Sequence, residues 1–149
     1  MESVIDFLAR HWVLSAVAAV LVILLISNEL SRRMQKFKTI GPADVARKAG
    51  RDGVALIDVR EDNEWKAGHI KGARHIPLGR LKDRLGELRS ENPDEIVLYC
   101  RSGSRTVAAA NILVKEGFEN VSHLGGGLIA WEGQNYPVTK NSKSNKGKK

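Results

Sequence analysis

Two hydrophobic patterns divide the chain. From His11 to Asn28 no side chain carries a formal charge, and Trp12–Ile26 reads WVLSAVAAVLVILLI, apolar on every face. From Val54 onward the apolar residues come in short bursts separated by charged and glycine-containing stretches. A helix that is apolar all round has to be covered by lipid or by protein. The 18 residues His11–Asn28 reach roughly 27 Å as a helix, close to the hydrocarbon thickness of a bilayer. A slight extension to Leu30 completes the span. The pattern predicts a short N-terminal segment over 1–11 and a transmembrane helix over 12–30, with Trp12 at one interface, where aromatic rings are favoured. A cleaved signal peptide calls for a basic start and a small-x-small cleavage site. Here the start is MESVIDFLAR and the run is followed by SNELSRR. A core helix of a soluble domain is the third reading of such a run, and the anchor fits best. Only Arg10 precedes the segment, whereas Arg32, Arg33, Lys36 and Lys38 follow it. The excess of positive charge places the C-terminal side in the cytoplasm. Residues 31–38 read as a basic linker.

Beyond the linker, strand-like and helix-like bursts alternate. Gly41-Pro42-Ala43-Asp44 opens a short helix ending near Gly50, with Pro suited to a first helical turn. Val54–Val59 is a buried strand with Asp58 near its carboxyl end. Asp62–Lys66 makes a helical turn, and His75–Leu78 is extended because the residue before a proline avoids helix. Arg80–Leu88 reads as helix, Ile96–Tyr99 as a second buried strand, Ser104–Glu116 as a helix closed by Gly117, Val121–Leu124 as a third strand and Leu128–Glu132 as a last short helix. Strands alternating with helices imply a parallel α/β sheet. This domain spans 39–138, and the tail 139–149 has the composition of a disordered segment.

Charge and composition narrow the function. The chain has 149 residues, 24 Lys+Arg against 17 Asp+Glu, and a net charge of +7. Residues 1–38 carry a balance of +2, residues 39–138 carry 14 groups of each sign, and residues 139–149 carry five lysines and no acid. A domain without net charge is a poor binder of a phosphate backbone, so no nucleic-acid partner is expected. The basic ends suit an anionic membrane surface. One cysteine excludes an internal disulfide and a Cys-rich zinc site, and the four His lack metal-ligand spacing. Neither a metal nor a cofactor is expected. A cytoplasmic domain keeps that cysteine reduced.

The candidate chemistry follows the Ile96–Tyr99 strand, which runs into Cys100-Arg101-Ser102-Gly103-Ser104-Arg105 and then a helix. In open α/β sheets ligands bind beyond the carboxyl ends of the strands. A turn from strand into helix aims several N–H groups at one point, here the Cys100 sulfur. Those donors, the helix dipole and two guanidinium groups favour thiolate over thiol and stabilise an anion carried on the sulfur. Gly103 permits the tight loop, and Arg105 can offer two parallel donors to an anionic substrate. The plainer alternative, an inert buried cysteine, does not account for the loop around it.

Three ordered stretches resemble the rhodanese-like family of sulfurtransferases. The first is Asp58-Val59-Arg60, Glu64-Trp65, Gly68-His69-Ile70-Lys71-Gly72-Ala73 and Ile76-Pro77. The second is the Cys100–Arg105 loop. The third is Gly117-Phe118, Val121, Leu124-Gly125-Gly126-Gly127, Trp131 and Tyr136-Pro137-Val138. The resemblance implies a parallel sheet of about five strands flanked by helices, and a persulfide formed on Cys100. It implies thiosulfate or a related sulfane-sulfur donor, and cyanide, a small thiol or a protein thiol as acceptor. With the anchor, the chain resembles single-pass bacterial members of the family, which implies the inner membrane. Asp58 and Arg60 are supporting residues; Asp58 either orients the loop or catalytic Arg side chains, or makes an N-cap or structural hydrogen bond. His69 is read as structural, Trp65 and Trp131 as packing residues, and Gly125–Gly127 as a tight turn beside the site. Two other functions compete. A Cys-based phosphatase requires the CxxxxxR loop, one position longer than CxxxxR here. A non-catalytic tethered module usually lacks the cysteine.

Overall fold

The computed structural model describes residues 7, 10–33 and 36–140, and the chain separates into two units, Met1–Gln35 and Lys36–Lys149. In the first unit, helix α1 spans Trp12–Arg33. Its stretch Trp12–Leu30 is long and apolar enough to cross a membrane, and no residue of that window's most apolar part is buried. Leu14 and Leu25 are each 68% exposed.

The second unit is built on a five-stranded sheet. Its strands are β1 (Lys38–Ile40), β2 (Val54–Asp58), β3 (Arg74–His75), β4 (Glu95–Tyr99) and β5 (Val121–Leu124), in the spatial order β1-β5-β4-β2-β3. Every pairing is parallel. The helices are α2 (Pro42–Lys48), α3 (Asp62–Ala67), α4 (Leu85–Glu91), α5 (Ser104–Lys115) and α6 (Gly127–Gly133). A central parallel strand is covered on both faces, which explains the unbroken apolar run of β4. Alternate residues serve opposite layers. Ile96, Leu98 and Cys100 join Leu85 and Leu88 of α4 and Ala109, Ala110 and Leu113 of α5. Val97 and Tyr99 join Val45 of α2 and Leu128 and Trp131 of α6. Both layers meet at the carboxyl end of β4, where the chain enters the Cys100 loop.

Three local outcomes differ from the sequence reading. Strand β1 was not expected, because KTI carries one apolar residue; it forms by pairing with β5, and it takes Lys38 out of the linker assigned to 31–38. The helix expected over Arg80–Leu88 is two 3₁₀ turns, Leu78–Arg80 and Lys82–Arg84, followed by α4. Leu78 and Leu81, three apart, suit the tighter turn, and Leu81, Leu85 and Leu88 are all buried. Thr139, assigned to the tail, exchanges both backbone hydrogen bonds with His69, at 2.9 and 2.7 Å. Residues 141–149 of the expected disordered tail lie outside the described residues, as do residues 1–6, 8 and 9 of the N-terminal segment.

Candidate active site

Cys100 leaves β4 fully buried, and its Sγ accepts a hydrogen bond from the Gly103 N–H at 3.0 Å. That bond requires the chain to fold back within three residues. Gly103 allows it by adopting φ +104°, a region disfavoured for side chains with a Cβ, and then caps α5. The loop carbonyls are held from outside. Leu128 N–H donates to Cys100 O at 2.8 Å and Ile129 N–H to Arg101 O at 3.1 Å. Thr106 Oγ1 donates to Gly103 O at 2.6 Å. The first turn of α5 adds N–H donors that a helix cannot satisfy by itself. A strand-to-helix turn of this kind, with one N–H already on the sulfur, can stabilise an anion.

The glycine run Gly125–Gly127 makes this arrangement possible. A Cβ on Gly127 would lie 2.5 Å from the carbonyl oxygens of both Cys100 and Arg101. Only a glycine lets α6 begin this close to the loop, so the run acts as a close-packed turn beside the site. Its position matches the sequence reading.

Behind the loop lies a polar chain, buried at Thr106 and His123 and exposed at Thr39, that the sequence reading missed. Thr106 Oγ1 is 2.9 Å from His123 Nδ1, and His123 Nε2 is 2.9 Å from Thr39 Oγ1. Thr106 has one hydroxyl proton and gives it to Gly103 O, so it accepts from a protonated Nδ1. Nε2 then accepts from Thr39. This requires neutral imidazole, and burial pushes the His123 pKa down from 6.5. Thr39 and His123 are register partners across β1 and β5. No spacing in the sequence signals that contact, because it depends on a strand that the pattern did not show.

Of the two loop arginines, Arg101 is exposed and Arg105 is paired. Helix α3 is six residues long and is held by a capping box between Glu61 and Glu64. It delivers Glu64 to Arg105, whose Nη1 and Nη2 donate to the two carboxylate oxygens at 2.6 and 2.8 Å. This bonding holds Glu64 down at about 2 despite some burial, and raises Arg105 further. Arg60 donates to both Asp58 oxygens and to Gly68 O. Burial opposes the Arg60 charge, and the Asp58 hydrogen bonds and charge more than reverse it, so its pKa is raised. The guanidinium also lies 5.8 Å from the Tyr99 ring centroid. Burial, with the Asp58 charge, pushes the Tyr99 hydroxyl well above its usual range. Asp58 also accepts from the Arg60 backbone N–H at 2.9 Å, so all of these hydrogen bonds to Asp58 come from Arg60.

Trp65 stacks on His69 at 3.5 Å and on His75 at 4.9 Å between ring centroids. His69 Nδ1 meets Trp65 O and His75 Nε2 meets Arg60 O. Both imidazoles spend a nitrogen on a backbone carbonyl, as a structural role requires. Among the described residues no cluster of three His, Cys, Asp or Glu side chains could hold a metal. A hollow of about 830 Å³ lies at the amino ends of β2, β4 and β5, away from Cys100.

A family model described as Rhodanese-like domain matches residues 41–134. This chain belongs to the rhodanese-like family. It is 38% identical over 122 residues to the uncharacterized protein YqhL of Bacillus subtilis, covering 82% of this chain and 92% of that one. It is 32% identical over 96 residues to a putative mitochondrial thiosulfate sulfurtransferase of Schizosaccharomyces pombe, covering 57% and 68%. The crystal structure of a thiosulfate sulfurtransferase from Pseudomonas aeruginosa superposes with a TM-score of 0.62 at 27% identity, covering 72% of this chain and 20% of that chain. The rhodanese-like domain here thus has sulfurtransferases among its relatives. In it, Cys100, Arg101, Ser102 and Gly103 make the turn out of β4, Ser104 and Arg105 open α5, and Asp58 and Arg60 pair with each other. Glu64, visible in the sequence only as part of a motif, is the partner that changes the electrostatics.

Proposed function

We propose that this chain is a membrane-anchored sulfurtransferase that carries sulfane sulfur as a persulfide on Cys100. The observation that supports it most directly is the Gly103 N–H on Cys100 Sγ, in a loop whose carbonyls are occupied from outside. Such a loop suits a sulfur anion better than an inert thiol. The Cys100 thiolate attacks the outer sulfur of thiosulfate or a related donor. The S–S bond of thiosulfate breaks, sulfite leaves with its electron pair, and Cys100–S–S⁻ remains. A thiol or cyanide then takes the terminal sulfur and the thiolate is restored. Each half-reaction regenerates the reactant of the other, so kinetics are ping-pong. The chain has one cysteine, so the persulfide has no internal thiol to collapse onto and waits for an external small-molecule or protein acceptor.

In this reading residues 12–30 anchor the protein in the inner membrane and 31–37 tether a domain running from Lys38 to Thr139, with 140–149 a basic tail. The four basic residues after the span put the domain in the cytoplasm. The full-length protein then resists carbonate extraction from membranes. Mass spectrometry of the thiosulfate-treated protein tests the chemistry. The Cys100 peptide gains one sulfur, about 32 Da, and loses it with cyanide. Absence of the adduct, or full transfer activity in Cys100→Ser, leaves a non-catalytic tethered module as the better account.

A further inference from the structure

Three arginines lie close to the Cys100 loop in sequence or space, and two of them have their charge spent. Arg60 is committed to Asp58 and Gly68 O. Arg105 gives both terminal nitrogens to Glu64, in a pair whose side chains are only 30% and 22% exposed. Arg101 is exposed, and so are Glu61 and Asp62 next to Glu64. Arg60 and Arg105, each matched by a carboxylate, therefore add no positive excess at the loop, and the charge of Arg101 is screened by water. A cationic nest would draw dianions; this one offers N–H donors with little net charge behind them.

We infer that Glu64 is a specificity-determining residue: by pairing with Arg105 it withholds the loop's arginine from dianions, so that the site favours sulfur donors of lower charge, monoanionic thiosulfonates and persulfides, over thiosulfate. Glu64 acts through Arg105 and touches no substrate itself. The inference rests on the persulfide chemistry proposed above and names its preferred donor class.

Two donors that differ by one charge test it. Thiosulfate, a dianion, leaves sulfite; methanethiosulfonate, a monoanion, leaves methanesulfinate; both place the same sulfur on Cys100. The full-length protein in detergent is assayed with each, with cyanide as acceptor, and the ratio of the two kcat/KM values is compared with that of Glu64→Gln. Glu64→Gln keeps the shape and removes the counter-charge of Arg105. The ratio of thiosulfate to methanethiosulfonate rises on the order of tenfold, as expected when one nearby unit charge is uncovered in a partly screened site. A ratio that stays level or falls overturns the inference, because a clamp with a purely structural role affects both donors alike. Ionic strength supplies a second measurement on the unaltered protein. As the Debye length shrinks from about 30 to about 8 Å, thiosulfate turnover holds level or rises relative to methanethiosulfonate; a steep relative fall reveals an uncompensated cationic site and overturns the inference even if Glu64→Gln does not fold. When neither donor leaves sulfur on Cys100, the sulfurtransferase reading itself fails. When both load it and the ratio is unmoved, only the role of Glu64 fails.

Discussion

Two arginine–carboxylate pairs flank helix α3, and they differ in burial more than in chemistry. Asp58–Arg60 is closed off, with side chains 0% and 3% exposed. Glu64–Arg105 stands at the edge of the Cys100 loop, with side chains 22% and 30% exposed. Desolvation makes the first pair an all-or-nothing element, since a buried charge left alone is far costlier than an exposed one. The second can open to water at modest cost, so its charge balance is available for tuning. One pair holds the fold and the other sets what the site attracts.

The largest effect comes from breaking the buried pair. Asp58→Ala strands the Arg60 guanidinium and costs about 3–5 kcal/mol of stability. Denaturant unfolding of the full-length protein, read by the fluorescence of Trp65 stacked nearby, checks this. A loss below about 1 kcal/mol, the range of exposed pairs, would show that the two pairs are energetically alike. Arg105→Ala is milder for the fold and acts on turnover. It removes a charge-assisted donor pair and leaves Glu64 unmatched at the loop. Transfer from thiosulfate falls by a factor corresponding to about 1.5–3 kcal/mol, measured as kcat/KM against the parent. Unchanged turnover would confine Arg105 to the same structural role as Arg60.

Acid separates the pairs further. Glu64 has its pKa lowered from 4.5 to about 2 by Arg105, so the folded state holds its charged form more strongly than the unfolded chain does. The stability from this pair is fully present above about pH 4.5 and is lost as pH falls from there toward about 2. Discounted for partial exposure, it amounts to about 1–3 kcal/mol. Glu64→Gln flattens that part of the acid limb, which an unfolding series between those pH values reads out.

Much of this was legible in the sequence because it is local. The β4 run, the turn at Gly103 and the loop from Cys100 to Arg105 follow from neighbours in the chain. What escaped is non-local. The segment KTI became a strand only because β5 offered an edge. Arg105 read as a free anion binder because its partner Glu64 is 41 positions away. His123 showed no role because Thr106 and Thr39 reach it from a helix and from the opposite strand. Periodicity records which face a residue turns to the core; it does not record which polar groups meet there.

The smallest effect sharpens the comparison with a third, uncharged link. His123 joins Thr39 to Thr106 and through it to the Gly103 carbonyl. Burial lowers its pKa below the unfolded value of 6.5, so below that pH the unfolded state binds more protons than the native one. The stability that depends on neutral His123 is therefore whole above about pH 6.5 and declines as pH falls through the folded pKa. The slope cannot exceed about 1.4 kcal/mol per pH unit for one group. The decline begins above the range in which Glu64 titrates, and the two variants assign each limb. His123→Gln removes the upper limb and leaves the lower one, whereas Glu64→Gln does the reverse. Thr106→Ser keeps the hydroxyl and the chain, while Thr106→Val strands the Gly103 carbonyl and His123 Nδ1 at a cost of about 1–3 kcal/mol. Persulfide loading on Cys100 then slows in Thr106→Val and stays near the parent rate in Thr106→Ser. Equal loading in the two variants would mean that the Gly103 N–H keeps its aim at the sulfur without the neutral link behind it.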